Sequence, residues 1–381
     1  MTTLFKSSVV LGFAALLVAC GGGDDAAPAQ NLTTAAAALT GDQESARVST
    51  GATGTGSLTV NPSTGDVSGS ITLDALAATV AHVHEAPAGT DAPPLIALTQ
   101  ASNVWSVPAG TRLTASQLAS FNAGNLYFNA HSAANPNGEI RGQIGREVST
   151  LRLSGRQEIP PVTSAASGAG QLVLDPTTRA LTGGFQLSGL TASVAHIHPG
   201  ATGVNNPPLI SLTENPTGSG NWTVPAGTVL TTDQATALRA GEMYVNAHST
   251  AYSAGEIRSQ VGRTVRFADL SGGVEVPPTT STATGRGFVV LDRATRQVTA
   301  RVTTTGIAGT VAHIHPGAVG VNGAPLVTLA ESPAGSGVWV TPAAATLTAD
   351  QMKALLDGAM YFNVHSAALP AGEIRGQIDL D

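Results

Sequence analysis

Beyond residue 39 the chain is patterned in short alternations of apolar and polar residues, the two-residue period of strands, with few helical periods. "GSLTVNPSTGDVSGSITL" (56–73) alternates on both sides of Asn-Pro-Ser-Thr-Gly-Asp, which predicts two strands joined by a turn. "QLVLDPTTRALTGGFQL" (171–187) and "GFVVLDRATRQVTARVT" (287–303) repeat the design. In "LYFNAHS" (126–132) Leu126, Phe128 and Ala130 share one face, while Tyr127, Asn129 and His131 share the other. "EIRGQI" sets Ile140, Gly142 and Ile144 against Glu139, Arg141 and Gln143 in the same way. Both strands therefore predict one buried face and one polar face. A single short helix is expected in "LTASQLASF" (113–121), where Thr114 and Gln117 form a capping box, repeated at Thr231/Gln234 and Thr348/Gln351.

These elements recur as a unit. "LTGDQE" (39–44), "LSGRQE" (153–158) and "LSGGVE" (270–275) open three copies, and "YFNAHSAANPNGEIRGQI" (127–144), "YVNAHSTAYSAGEIRSQV" (244–261) and "YFNVHSAALPAGEIRGQI" (361–378) close them. Tyr127, Tyr244 and Tyr361 are 117 residues apart, as are Trp105, Trp222 and Trp339. The fold class that follows is all-β: three tandem antiparallel β-sandwich domains (Ig-like or superoxide-dismutase-like), each with one short helix. The boundaries expected are 39–148, 151–265 and 268–381, with short joins near 147–152 and 264–269 and a semi-rigid rod as the assembly. The three tryptophans read as core anchors.

Composition removes several classes. A formal charge of −7 with no local Lys/Arg cluster excludes a nucleic-acid partner. Lys6 and the eleven-residue apolar run "VVLGFAALLVA" (9–19) read as a signal peptide over 1–19, too short for a membrane span. "LVAC" ends at Cys20, the one cysteine of the chain, and resembles a bacterial lipoprotein signal with lipid attached to Cys20. Residues 20–38 then read as lipidated cysteine and flexible tether, reaching roughly 25 Å. The expected location is the periplasmic face or the cell surface, with the outer membrane favoured and the anchor as the membrane contact. With one cysteine, no intramolecular disulfide forms and apolar burial holds the fold.

"LSGxxEVPP", "AHIHPGAxG", "YxNxHS" and "GEIRGQI", in this order and spacing, resemble the CHRD domain, the module named for chordin. The resemblance covers nearly everything after residue 38, in three copies. It implies an extracellular β-sandwich module and no settled biochemical role. Copy 1 departs from the pattern with "ESARV" and "HVHEAPAGT", which predicts that its loops, and any site they shape, differ.

All nine histidines fall in two of these motifs: His82, His84 and His131; His196, His198 and His248; His313, His315 and His365. His-x-His in a strand places both imidazoles on one face, about 7 Å apart at Cβ. Beside "YxNxHS", three imidazoles per copy would converge and suit zinc or copper(II). Tyr127, Asn129, Glu139 and Arg141, with Tyr244, Asn246, Glu256 and Arg258 and with Tyr361, Asn363, Glu373 and Arg375, are the candidates for orienting the ligands. Glu139 and Arg141 are also read as making cross-strand surface salt bridges. A purely structural Tyr–Asn–His–Glu–Arg network is the alternative. The motif is similar to the copper pair of copper–zinc superoxide dismutase, but three histidines and no cysteine per copy fall short of that enzyme; copper redox chemistry stays a third reading. Glu44, Glu158 and Glu275 read as structural. Ser132, Ser249 and Ser366 point away from the preceding histidine, and no nucleophile elbow, P-loop or dinucleotide fingerprint occurs. The function expected is a lipid-anchored envelope binding protein, not an enzyme, coordinating zinc or copper through three histidines per module. The alternative is an adhesion rod that holds an extracellular protein or glycan through loops such as 199–209.

Overall fold

A computed structural model describes residues 32–379; the expected signal peptide, Cys20 and the first part of the expected tether lie outside the described residues. Module 1 contains β1 (Thr33–Thr40), β2 (Thr53–Val60), β3 (Val67–Asp74), β4 (Ala78–Glu85), β5 (Pro94–Ala97), β6 (Thr99–Ala101), β7 (Val104–Ser106), α1 (Ala115–Ala123), β8 (Leu126–Ser132) and β9 (Ile140–Gln143). All pairings are antiparallel, in the order β5-β4-β8-β9-β1-β2-β3-β7-β6. β1 meets β9 at a single residue pair, Thr40 with Arg141, and there the sheet folds into two layers. In module 2 the layers are separate sheets of five and four strands. In module 3 a second seam, Ala330 with Val340 and Glu331 with Trp339, also joins them.

Each module has its own apolar core. Leu39, Leu58 and Ile71 from one layer pack against Val83, Phe128 and Ile140 from the other, and the later modules repeat this. The three tryptophans are buried in these cores, as expected. The helices begin at the expected capping boxes: Thr114 Oγ1 accepts from Gln117 N, and Gln117 Oε1 accepts from Thr114 N. Thr231/Gln234 and Thr348/Gln351 do the same. Among the described residues no helix is long and apolar enough to cross a membrane.

Two expectations are corrected. Residues 33–38, read as the end of the tether, form most of β1. An alanine-rich strand gives little hydrophobic contrast, so Ala37 buries without announcing itself in the sequence. The residues read as joins are likewise the opening strands of modules 2 and 3, Glu147–Leu153 and Thr264–Ser271.

The assembly is not a rod, because modules 1 and 3 touch. Arg293 donates to Val48 O at 2.7 Å, Ser49 Oγ to Asp357 Oδ1 at 2.6 Å, and Arg296 pairs with Asp74. Modules 1 and 2 meet through Thr150–Asp42 (2.8 Å), and modules 2 and 3 through Arg156–Asp269 (3.1 Å). Each module therefore contacts the other two. Strands that run directly from one module into the next leave no linker to hold the copies apart.

Candidate metal centres

β4 lies antiparallel beside β8, with His82 opposite Asn129, His84 opposite Tyr127 and Val80 opposite His131. Strand parity then places His82, His84, Tyr127, Asn129 and His131 on one face. In module 2, Val194–Pro199 pairs with Met243–His248 in the same register, and in module 3 Gly309–Pro316 pairs with Met360–Ser366. Each triad offers three ring nitrogens within 4.8 Å of one another. His82 Nδ1 lies 3.3 Å from His131 Nε2, and the equivalent pairs His196–His248 and His313–His365 are at 3.2 Å.

Two histidines in each triad have their tautomer set by a backbone carbonyl. A carbonyl only accepts, so the nitrogen facing it carries the proton. His84 Nδ1 donates to Ala92 O at 2.8 Å, and His131 Nδ1 to Pro136 O at 3.0 Å. His198 donates to Asn206 O at 2.7 Å and His248 to Ser253 O at 3.0 Å; His315 and His365 use Gly323 O and Pro370 O. In a neutral ring each Nε2 is then a lone pair aimed inward. His84 Nε2 and His315 Nε2 are buried without a hydrogen-bond partner among the described residues. Burial pushes His82, His84, His131, His196, His198, His313 and His315 below the ordinary imidazole value, which favours the neutral, ligating form.

The wall behind the triad is a stacked column. His84 lies on Tyr127 at 4.7 Å between centroids and 7° between planes, and the Arg141 guanidinium caps the other face of Tyr127 at 3.5 Å. The columns His198–Tyr244–Arg258 and His315–Tyr361–Arg375 are alike. Tyr127 Oη accepts from Ala92 N at 3.1 Å, in the loop that carries the His84 acceptor. Arg141 ties down the same loop through Pro87 O (3.0 Å) and Thr90 O (2.9 Å). Arg258 holds Val204 O, Asn205 Oδ1 and Ala201 O, while Arg375 holds Asn322 Oδ1, Ala318 O and Val321 O. These arginines are only 1–2% exposed, so the surface, cross-strand placement read for Arg141 is corrected: its guanidinium is buried and pairs with the exposed Asp91 of the covering loop at 3.4 Å. The "polar face" of the closing strands is polar but covered, by this loop and by the opening turn.

The opening turn brings in the glutamates. Asn129 Nδ2 donates to Glu44 Oε2 at 3.4 Å, and Asn363 to Glu275 at 3.3 Å. Burial pushes the Glu44 and Glu158 carboxyls up to about 7, against the pull of Arg141 and Arg258 respectively, and raises Glu275 as well. The glycine of "GEIR" makes room for this contact. Gly138, Gly255 and Gly372 have φ of +133°, +128° and +135°, and a Cβ there would stand 2.5–2.9 Å from atoms of the asparagine amide and the glutamate carboxylate. In module 2 the asparagine reaches the triad itself: Asn246 Oδ1 lies 3.0 Å from both His198 Nε2 and His248 Nε2.

Glu139, Glu256 and Glu373, candidates for orienting the histidines, are engaged elsewhere. Glu139 receives Thr50 Oγ1 at 2.6 Å and the Ser132 hydroxyl; Glu256 receives Ser164 at 2.7 Å and Ser249 at 2.5 Å; Glu373 receives Ser281 at 2.7 Å. Burial raises the Glu139 pKa, but these hydroxyls outweigh it and hold the group below its ordinary value. The carboxylate next to the triad is therefore the Glu44 type, whose constant place in "LSGxxE" was its one sequence signal. Copy 1, expected to differ, keeps the triad, the carbonyl acceptor and the column despite its altered loop.

The fold and sites define a tandem-repeat β-sandwich protein with one histidine triad per repeat. The family model of the CHRD domain matches residues 35–144, 150–261 and 266–378, and the chain belongs to that family. CHRD is not a known enzyme family. Searches among curated proteins and solved structures found no match.

Proposed function

We propose that the protein is a lipid-anchored envelope binding protein whose three CHRD modules each coordinate zinc or copper(II) through one His-x-His and one further histidine. The observation that carries this reading is the convergence of lone pairs. His84 and His131 have spent their only N–H on backbone carbonyls, so both Nε2 atoms are acceptors. His82 Nδ1, 3.3 Å from His131 Nε2, can serve that one, and His84 Nε2 is left buried with no donor among the described residues. A cation resolves that arrangement, and three neutral imidazoles are a borderline donor set suited to zinc or copper(II), leaving a coordination position free. The Tyr–Arg column and the carbonyl acceptors would hold the rings in place. The role is metal retention or metal-dependent adhesion at the envelope, without catalysis, and Cys20 supplies the membrane attachment. The test is metal content of the full chain: three ions expected, two after His196→Ala/His198→Ala/His248→Ala. Wild type that retains no zinc or copper after loading and dialysis overturns the reading.

A second reading rests on Glu158. At a pKa of about 7 it is protonated in mildly acidic medium and can donate to the Asn246 amide oxygen. The Asn246 amide, turned over, would then donate to His198 and His248. That closes a metal-free structural network, and the exposed loops would serve an extracellular protein or glycan. Unchanged cooperativity of unfolding with and without zinc favours it.

A further inference from the structure

Four arginines from all three modules face one another where the modules meet. Arg47 comes from module 1, Arg152 from module 2, and Arg266 and Arg293 from module 3; all four line a cavity of about 740 Å³. A fifth on the same wall, Arg263, is paired with Asp292 at 3.3 Å. Among the described residues the one carboxylate on the wall is Asp42, 3.7 Å from Arg293 Nε. The hydrogen bonds these arginines make go to neutral carbonyls: Arg47 to Leu151 O at 2.6 Å, Arg293 to Val48 O at 2.7 Å, and Arg266 to Leu356 O. Carbonyls hold a guanidinium in place but leave its charge uncancelled.

Donors remain unused. Arg266 is 4% exposed, and its Nε, like that of Arg293, has no hydrogen-bond partner among the described residues. The Arg152 guanidinium has no ion-pair partner among them. Burial, then repulsion from Arg152 and Arg293, brings Arg47 and Arg266 down to about 10. Asp357 and Asp379 also act on Arg266, but Asp357 is held by Ser49 and Lys353, and Asp379 by Arg156. The cluster is not a by-product of the repeat. At the positions of Arg266 and Arg152, copy 1 carries Ala35 and Ala38, while Ser149 and Asp269 occupy the remaining equivalents.

We propose that this junction binds a multiply charged oxyanion of the phosphate or sulfate type, which supplies the missing negative charge and fastens the three modules together. Guanidinium forks match tetrahedral oxyanions, and four arginines around one cavity, of which Arg47, Arg266 and Arg293 are withdrawn from water, outnumber the carboxylate on its wall. The cavity has room for more than the anion, so the anion can be free or carried by a saccharide.

The test is calorimetric titration of the full chain with inorganic phosphate, sulfate, pyrophosphate and a sugar phosphate, at constant ionic strength set with chloride. One saturable site per chain is expected, with a melting temperature that rises with ligand. Arg152→Met alters an exposed side chain, so the fold is retained while affinity drops at least about tenfold. Tighter binding of the sugar phosphate than of the inorganic anions identifies the carried form; the reverse order identifies the free one. Absence of saturable binding for every anion, or equal affinity in Arg152→Met, overturns the proposal.

Discussion

Replacing Arg258 with methionine tests whether the stacked column sets the histidine site. The methionine keeps most of the volume but removes the cap on Tyr244 and four contacts, to Val204 O (3.1 Å), Asn205 Oδ1 (3.1 Å), Ala201 O (3.2 Å) and Gln260 Oε1 (3.3 Å). Gln260 Oε1 is left buried and unpaired, at about 1–3 kcal/mol, while the loop acceptors belong to exposed residues and can turn to water. Relief from desolvating a buried cation offsets part of this, so a net loss of about 1–3 kcal/mol for module 2 is expected. The loop released also contains Asn206, whose carbonyl fixes the His198 tautomer. Metal affinity at that site should fall about 10–100-fold, the range for lost orienting contacts. The assay uses a chain with His82→Ala and His313→Ala, so that module 2 holds the single intact triad, and compares zinc affinity and denaturant unfolding with and without Arg258→Met. Arg258→Lys should recover little, because an ammonium neither stacks as a plane nor reaches several carbonyls. Unchanged zinc affinity together with unchanged stability refutes the argument.

Three further outcomes follow from the geometry. Glu158 has its folded-state pKa raised from 4.5 to about 7, so its contribution to stability is complete below about 4.5 and is lost as pH rises through 7. Glu158→Gln should therefore be near neutral at pH 5 and stabilising by up to about 3 kcal/mol at pH 8, read by paired denaturation curves; equal effects at both values contradict it. The buried histidines act with the opposite sign: their lowered values give stability that is present above about 6.5 and lost in acid, which the variant-minus-parent difference cancels. Gly255→Ala puts a Cβ 2.5 Å from Glu158 Oε1 at φ +128° and should cost module 2 more than about 2 kcal/mol by denaturation, whereas Gly218→Ala, at φ +80° with open space, should cost less. Phe362, fully buried in the module 3 core, should cost about 3–5 kcal/mol when cut to alanine, measured as an earlier unfolding transition.

Strand parity, the capping boxes and the repeats were legible from the sequence because each is a local pattern that tertiary packing reinforces. Parity also grouped His82, His84, Tyr127, Asn129 and His131 correctly on one face. The Glu44 contact was not legible, since it joins the opening turn to a strand 85 residues away. Glu139 was misplaced for a related reason: it precedes the strand, and nearby hydroxyls capture it first. The buried arginines looked like surface charges because nothing local shows that a loop folds over them. The contact between modules 1 and 3 depends on single side chains such as Arg293 and Ser49, which carry no pattern at all.

The central claim is that each triad is a metal site, and metal-to-protein stoichiometry tests it most directly. The full chain, loaded with zinc or copper(II) at pH 7.5 and dialysed, should retain three ions by elemental analysis. One ion should be lost for each triad removed, in the order of removal and without loss of fold. A stoichiometry near zero in the parent chain, or one that does not change when His196, His198 and His248 are replaced, contradicts the account.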